Sequence, residues 1–357
     1  MGLNIREIVS RKELDVSSLK GKTLCVDAFN TLYQFLTTIR QADGAPLQDE
    51  HGNITSHLSG IFYRNIFLIS EGIKLVYVFD GEPPELKGKI HKIRGNLRDF
   101  AKDKYEIAMG EENLNDMKKY SSQFVRLDDK MIEEAKELLE AMGVSVIQAP
   151  GEGEAQASYL SRKKGIYGVV SQDYDSLVFG ARVLIRNLTV SRKKKTYSGY
   201  VEVKPEIIVL DDLLKELEID IDQLISLAIL VGTDYNPKGV PMIGQKKALK
   251  IVKEFKTPER IFEFLKEKIE ILPKEDKFDW ELIFSLFRAP KTNDFELEFP
   301  ALNFEKIEEI LIKRHQFSEE RIKNQLKKID KINVGPATYF ASQTFTILNN
   351  ELDRAGL

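Results

Sequence analysis

The chain has 357 residues, 42% hydrophobic and 31% charged, which suits one large α/β domain or two smaller ones. A single cysteine, Cys25, excludes an internal disulfide framework and a cysteine-based zinc site, and the histidines at 51, 57, 91 and 315 show no ligand spacing. The formal net charge of −3 argues at first against nucleic acid, and the absence of a signal peptide or a membrane-length apolar run predicts a cytoplasmic protein.

In chain order, Met1 to Lys22 is short and amphipathic. Thr23-Leu-Cys-Val-Asp27 is an apolar run ending in an acid and predicts a buried strand. The following Ala-Phe-Asn-Thr-Leu-Tyr-Gln-Phe-Leu predicts a helix with Leu32, Phe35 and Leu36 inward. Gly44, Pro46 and Gly52 mark Gln41 to Thr55 as a loop. Leu58 to Ile69 is a second helix, and Leu75-Val-Tyr-Val-Phe-Asp80 a second strand ending in an acid. Residues 85–120 hold little that could fill a core. Lys87, Lys89, Lys92, Arg94, Arg98, Lys102 and Lys104 crowd the first half, with Lys87, Arg94 and Arg98 on one helical face. Gly88, Gly95 and Gly110 each weaken helix by about 1 kcal/mol. A solvated surface explains most charge runs, but a charged, weakly helical insertion directly after a strand-end acid predicts a mobile cover.

Asp129 to Met142 is an amphipathic helix, followed by a strand over Val144 to Gln148 and the sequence Ala149-Pro-Gly-Glu-Gly-Glu-Ala155. Ile166 to Val170 predicts a parallel strand leading to Ser171-Gln-Asp-Tyr-Asp175. Arg192-Lys-Lys-Lys195 reads as a basic turn between short strands. Leu213 to Leu230 reads as helical. Residues 225–260 then form a helix-hairpin-helix with Gly239 in the hairpin and Gly244 just before its second helix. The free N–H groups of that helix start, with Lys246, Lys247 and Lys250, suit a phosphate and would position a duplex without reading its sequence. Pro258 to Lys331 reads as further helices, and residues 331–357 as a tail without periodicity.

Alone, Glu152 and Glu154 read as helix-start acids and Asp173 as a strand-end residue. Together the segments change that reading. Ligands bind outside the carboxyl ends of parallel strands. Strand-like runs ending at Asp27 and Asp80 and beside Asp173 aim at one sheet edge, and the run Leu227 to Val231 leads to Asp234. Asp27, Asp80, Glu152, Glu154, Asp173, Asp175 and Asp234 would repel one another without cations. Oxygen donors alone favour magnesium or manganese over zinc, and two such ions about 4 Å apart suit phosphodiester hydrolysis. With these seven set aside as metal-bound, the rest of the chain carries +4, a sign that a phosphate backbone would meet.

Carried by Asp27-Ala-Phe-Asn-Thr-Leu-Tyr-Gln-Phe-Leu36, Thr55-Ser-His-Leu-Ser-Gly60, Tyr77-Val-Phe-Asp-Gly-Glu-Pro-Pro84, Ala149 to Ala155, Ser171 to Ser176 and Leu230-Val-Gly-Thr-Asp-Tyr235, the sequence resembles the flap endonucleases, archaeal members above all. The resemblance implies a PIN-like α/β nuclease fold with a central, mostly parallel sheet, in one domain over residues 1–330. It implies cleavage of 5′ flaps where single strand meets duplex, with 5′-3′ exonuclease activity, in replication and repair. It places all seven acids at metal positions for two magnesium ions. It makes residues 85–120 a helical arch with Lys87 and Arg94 steering the scissile phosphate, and has Tyr33 stack on a base near the cut. It has Gly239 to Lys247 grip the downstream duplex and a potassium ion. Branched DNA would be the substrate, met by a monomer near the nucleoid.

Two departures stand out. Met242 stands where the family has a glycine, so that a side chain crowds the phosphate or the loop reshapes around Pro241. The sliding-clamp motif expected in the tail is atypical, since Gln343 is followed by Thr-Phe-Thr-Ile-Leu-Asn-Asn without paired aromatics. Rival readings are a related 5′-nuclease with another junction preference, a phosphatase with an aspartate nucleophile and a non-catalytic DNA-binding protein. The phosphatase pattern expects a second Asp two residues after the first, and Phe29 stands there.

Overall fold

The computed structural model describes residues 3–41, 43–111, 113, 116, 120, 121, 123, 124, 126–190, 193–196, 199–274, 276–333 and 343–345, with side chains described at these positions except 85, 89–94, 96, 109, 193–196, 199–201, 330–333 and 343–345. In chain order the elements are β1 (Lys12–Glu13), β2 (Thr23–Asp27), α1 (Ala28–Thr38), α2 (Ser56–Ser70), β3 (Lys74–Phe79), α3 (Gly88–Gly110), α4 (Asp129–Ala141), β4 (Ser145–Gln148), α5 (Gly153–Ser161), β5 (Gly168–Val170), α6 (Asp175–Val178), β6 (Val183–Arg186), β7 (Lys193–Thr196), β8 (Gly199–Glu202) and β9 (Glu206–Val209). A helical second half follows: α7 (Leu210–Leu217), α8 (Ile221–Val231), α9 (Gln245–Phe255), α10 (Pro258–Phe264), α11 (Lys266–Glu270), α12 (Trp280–Arg288), β10 (Leu297–Phe299), α13 (Phe304–Glu308), α14 (Glu319–Asn333) and β11 (Gln343–Phe345).

The main sheet runs β1-β9-β6-β5-β2-β3-β4. Its five central strands are parallel, and β9 and β1 close one edge antiparallel. Alternate side chains serve opposite faces, as strand geometry requires. Leu24 and Val26 of β2, with Leu75, Tyr77 and Phe79 of β3, pack with α1, α2 and α4. Cys25, Val76 and Val78 face the other way, onto Ala157 and Leu160 of α5. Burial on both faces is why these strands read as continuous apolar runs. The chain moves from β2 through β3 to β4, then returns to lay β5 on the other side of β2, so strand order reverses between β2 and β5.

Several segments differ from expectation. The run read as helical from Leu213 is two helices. Glu218 ends α7 in the left-handed conformation at φ 54°, and Asp220 starts α8 with a capping box to Gln223. The basic run at 193–195 is not a turn but strand β7, paired antiparallel with β8; Arg192 lies outside the described residues. The weak helix expected from three glycines is a continuous helix of 23 residues, α3, anchored by buried Ala101 and Ala108. Of the tail, Gln343–Phe345 pairs antiparallel with Leu297–Phe299, and residues 334–342 and 346–357 lie outside the description. No helix among the described residues is long and apolar enough to cross a membrane.

Candidate active site

The acids gather at the strand-order reversal, where crevices form outside the carboxyl ends of parallel strands. Asp27 ends β2 and caps α1, accepting the Asn30 N–H at 3.0 Å. Asp80 follows β3 and accepts the Gly153 N–H at 2.6 Å. Gly153 is required there, since an added Cβ would lie 2.7 Å from Asp80 Oδ1 and 3.0 Å from the Val78 carbonyl. The close approach lays the start of α5 against β3 and brings Glu152 and Glu154 to the pocket on its first turn. Asp173 lies in the loop after β5 and Asp175 opens α6. Asp234 follows α8, whose last turn ends at Gly232; its approach is a helix end, not a strand.

Side chains that the sequence reading left without a role bind the cluster together. Asn30 Nδ2 donates to Asp173 Oδ2 at 2.9 Å, and Asn30 Oδ1 accepts the Gln172 N–H at 3.2 Å. The Ser171 hydroxyl donates to Asp27 Oδ2 at 3.3 Å and accepts the Asp173 N–H at 3.2 Å. The Tyr235 hydroxyl donates to Glu152 Oε2. Asn30 was within reach of sequence reasoning, because a residue three after Asp27 on a helix start faces the same way.

The electrostatics are those of crowded like charges. Burial, then Asp80 and Asp173, push Asp27 up from 3.8 to about 8. Burial, then Asp173 and Asp234, push Asp175 up to about 7, while Lys87 opposes the rise. Glu154 is raised well above the usual range by burial and by Asp27, Asp175 and Asp173. Burial and four of these acids also raise the Tyr235 phenol, keeping it a neutral donor. Among the described residues Lys87 is the counterion within the cluster. Its Nζ reaches Glu152 Oε1, lies 3.9 Å from Asp234 Oδ2 and sits 5.5 Å from the Tyr235 ring centre. Arg94 lies on α3, but its side chain is outside the description.

Among the described residues no three acidic, histidine or cysteine side chains close into a ready metal cage. The donor set nevertheless fits hard divalent cations. It is all oxygen, and Asp175 Oδ1 is buried without a hydrogen-bond partner. Asp27 and Asp175 hold protons in the folded chain that they release when unfolded, so metal-free stability must fall as pH rises from about 4 to about 8. The expected result is a melting temperature in chelator that declines across this window and a decline that calcium or magnesium flattens. A metal-free curve level from pH 5 to 8 would refute the crowding.

Away from the acids, Tyr33 of α1 meets Arg98 of α3, with the guanidinium 5.5 Å from the ring centre and a 3.4 Å contact to the hydroxyl. In the hairpin between α8 and α9, Gly239 takes φ 57°, and a Cβ there would lie 2.5 Å from the Leu230 carbonyl oxygen. Gly244 caps α9 with open space around it. Lys247 is exposed, and Lys246 is exposed with Glu7 at 3.3 Å. Met242 adopts φ 62° with its side chain 88% exposed. The loop thus keeps a glycine-like backbone at a cost of about 1 kcal/mol and turns the side chain to solvent.

Comparison with known proteins agrees with this architecture. The XPG N-terminal domain matches residues 3–101 and the XPG I-region residues 143–234. Flap endonuclease 1 of Thermococcus onnurineus is 48% identical over 334 residues, 93% of this chain and 95% of that protein. That of Pyrococcus furiosus is 47% identical over the same shares. The flap endonuclease-1 structure from Methanococcus jannaschii superposes with a TM-score of 0.71 at 36% identity, covering 93% of this chain and 98% of that one. The catalytic core of Rad2 in complex with DNA shares the fold, with a TM-score of 0.65 at 21% identity over 90% of this chain and 96% of that one. Fold and acids together define an XPG-type nuclease, an enzyme that hydrolyses phosphodiester bonds. Nearly half identical to relatives along almost their whole length, the chain belongs to the flap endonuclease 1 family.

Proposed function

We infer that this chain is a structure-specific DNA nuclease that cuts 5′ flaps at the junction of single strand and duplex and trims 5′ ends, in replication and repair. The observation that carries the reading is the cluster of acids at the strand-order reversal, with Lys87 at the root of α3 reaching into it. Asp27, Asp80, Glu152 and Glu154 would hold one magnesium or manganese ion, and Asp173, Asp175 and Asp234 a second. When bound, the ions supply an attacking water of lowered pKa and charge compensation at the leaving oxygen. Asn30 and Ser171 orient Asp173 and Asp27, and Tyr235 orients Glu152. Lys87, joined by Arg94 about two turns further along the same helical face, offsets charge growing on the scissile phosphate. Tyr33, held by Arg98, offers a ring to the base beside it. We read residues up to about 330 as one nuclease domain acting as a monomer near the nucleoid. The tail makes a poor ligand for a sliding clamp, because no aromatic pair follows Gln343 at the spacing such a motif needs.

The hairpin of Gly239, Gly244, Lys246 and Lys247 would hold duplex backbone and a potassium ion. Replacing Lys246 and Lys247 by Ala is expected to weaken binding of all duplex sequences alike and to flatten the slope of log affinity against log salt by about one unit per lost contact. An unchanged slope would move the duplex elsewhere. The activity itself is tested with a labelled double-flap substrate, with and without magnesium, products sized to the nucleotide. Magnesium-dependent cuts at the junction support the reading. Release of phosphate from a small ester with no DNA cleavage would overturn it.

A further inference from the structure

Asp173 lies beyond the end of β5, in the loop 171–174, and a side chain of the neighbouring strand grips that loop on either side of it. Arg186 is the last residue of β6, whose parallel pairing with β5 runs to Val170 and Ile185. Its Nε–H donates to the Gln172 carbonyl at 3.1 Å, and its Nη1–H to the Tyr174 hydroxyl at 2.7 Å. The guanidinium carbon lies 4.3 Å from the Tyr174 ring centre. The fork is held in turn across the sheet. Glu206 of β9 stands opposite Arg186 in the antiparallel ladder, lies 3.5 Å from Nη1 and also takes Arg11 at 3.4 Å. The Arg186 side chain is only 15% exposed, so water offers its donors little in place of these acceptors.

We propose that Arg186 is a positioning residue for Asp173 and Asp175, acting on divalent-ion binding through the shape of the loop and not through its charge. This rests on the reading that these two acids hold an ion. Gln172 and Tyr174 flank Asp173 in the chain, so holding both fixes the backbone from which its carboxylate projects. From the other side Asn30 holds that carboxylate at 2.9 Å. Tyr174 is also the residue that starts α6, and Asp175 is the first residue of that helix. One guanidinium therefore sets the direction of two acids. Outer partners of this kind orient ligands, and their loss typically costs about 10- to 100-fold in metal affinity or activity. Arginine supplies donors at a fixed angle together with a planar face, whereas a lysine keeps the charge and loses the fork.

The test compares the wild type with Arg186→Lys and with Tyr174→Phe, which removes a single hydroxyl and keeps the packed ring. Calcium binding is titrated calorimetrically without DNA, single-turnover flap cleavage is followed against magnesium concentration, and flap affinity in saturating calcium is measured at several salt concentrations. Melting temperature in chelator verifies folding. Arg186→Lys is expected to weaken calcium binding about tenfold or more and to raise the half-saturating magnesium by a like factor, with cleavage recovering at high magnesium. Tyr174→Phe should move both in the same direction by less. Flap affinity and its salt slope should stay at the wild-type values. Wild-type calcium affinity in Arg186→Lys overturns the bracing and reduces Arg186 to its charge; wild-type affinity in Tyr174→Phe overturns it if the lysine variant does not fold. Weaker flap binding with a shallower salt slope at unchanged calcium affinity also overturns it, and makes Arg186 a phosphate contact. If calcium binding falls in the variants but the wild type cleaves no flap, the bracing holds and the flap-cutting reading falls. A wild type that binds no divalent ion sinks both.

Discussion

An Asp173→Asn variant is expected to cleave flap DNA at least ~10³-fold more slowly at neutral pH, because on the two-ion reading Asp173 would help to hold an ion that activates the attacking water. The substitution keeps the shape of a side chain that accepts the Asn30 amide at 2.9 Å. What it removes is one charge from a cluster in which Asp173 raises both Asp27 and Asp175. Flap affinity in calcium should hold or improve, since fewer negative charges face the phosphates. Melting temperature without metal should stay level or rise, because a like-charged neighbour has gone. A residue that only ended a strand would give the reverse: activity kept and folding weakened. Near-normal cleavage would refute the two-ion site.

The second large effect is expected at the root of α3. Lys87→Ala or Arg94→Ala should slow single-turnover cleavage by ~10²-fold or more, the loss typical of one preorganised charge donor. Binding should change little, because many other cations meet the backbone. Lys87 is counterion to Glu152 and Asp234 and, on the proposed reading, would also donate to the phosphate. Its loss should therefore also lower the melting temperature in chelator, and magnesium should restore it. Rates within threefold of wild type for both variants would exclude the role.

Legibility followed the physics of each segment. Strands buried on both faces wrote themselves as apolar runs, and their terminal acids showed where the site would form. The start of α5 was visible in its glutamates, although only the structure shows that Gly153 lets Asp80 touch its first turn. The break at Glu218 was missed because hydrophobic periodicity runs straight through it; the capping pair Asp220 and Gln223 was the available signal. The strand at 193–195 was missed because lysine carries little strand propensity, and its pairing with β8 overrides that preference. Helix α3 was underestimated by counting glycines singly, without the buried alanines that pin it. The bracing by Tyr235 and Ser171 is long-range and leaves no local pattern to read.

On the two-ion reading, the ammonium of Lys87 among the carboxylates makes ion loading and the seating of α3 compete for the same oxygens. Binding free energies are reciprocal. Whatever factor a divalent ion exacts from the helix in loosening its root, a change that loosens the root must return as tighter ion binding. Ion capture and the seating of the helix thereby become one equilibrium rather than two.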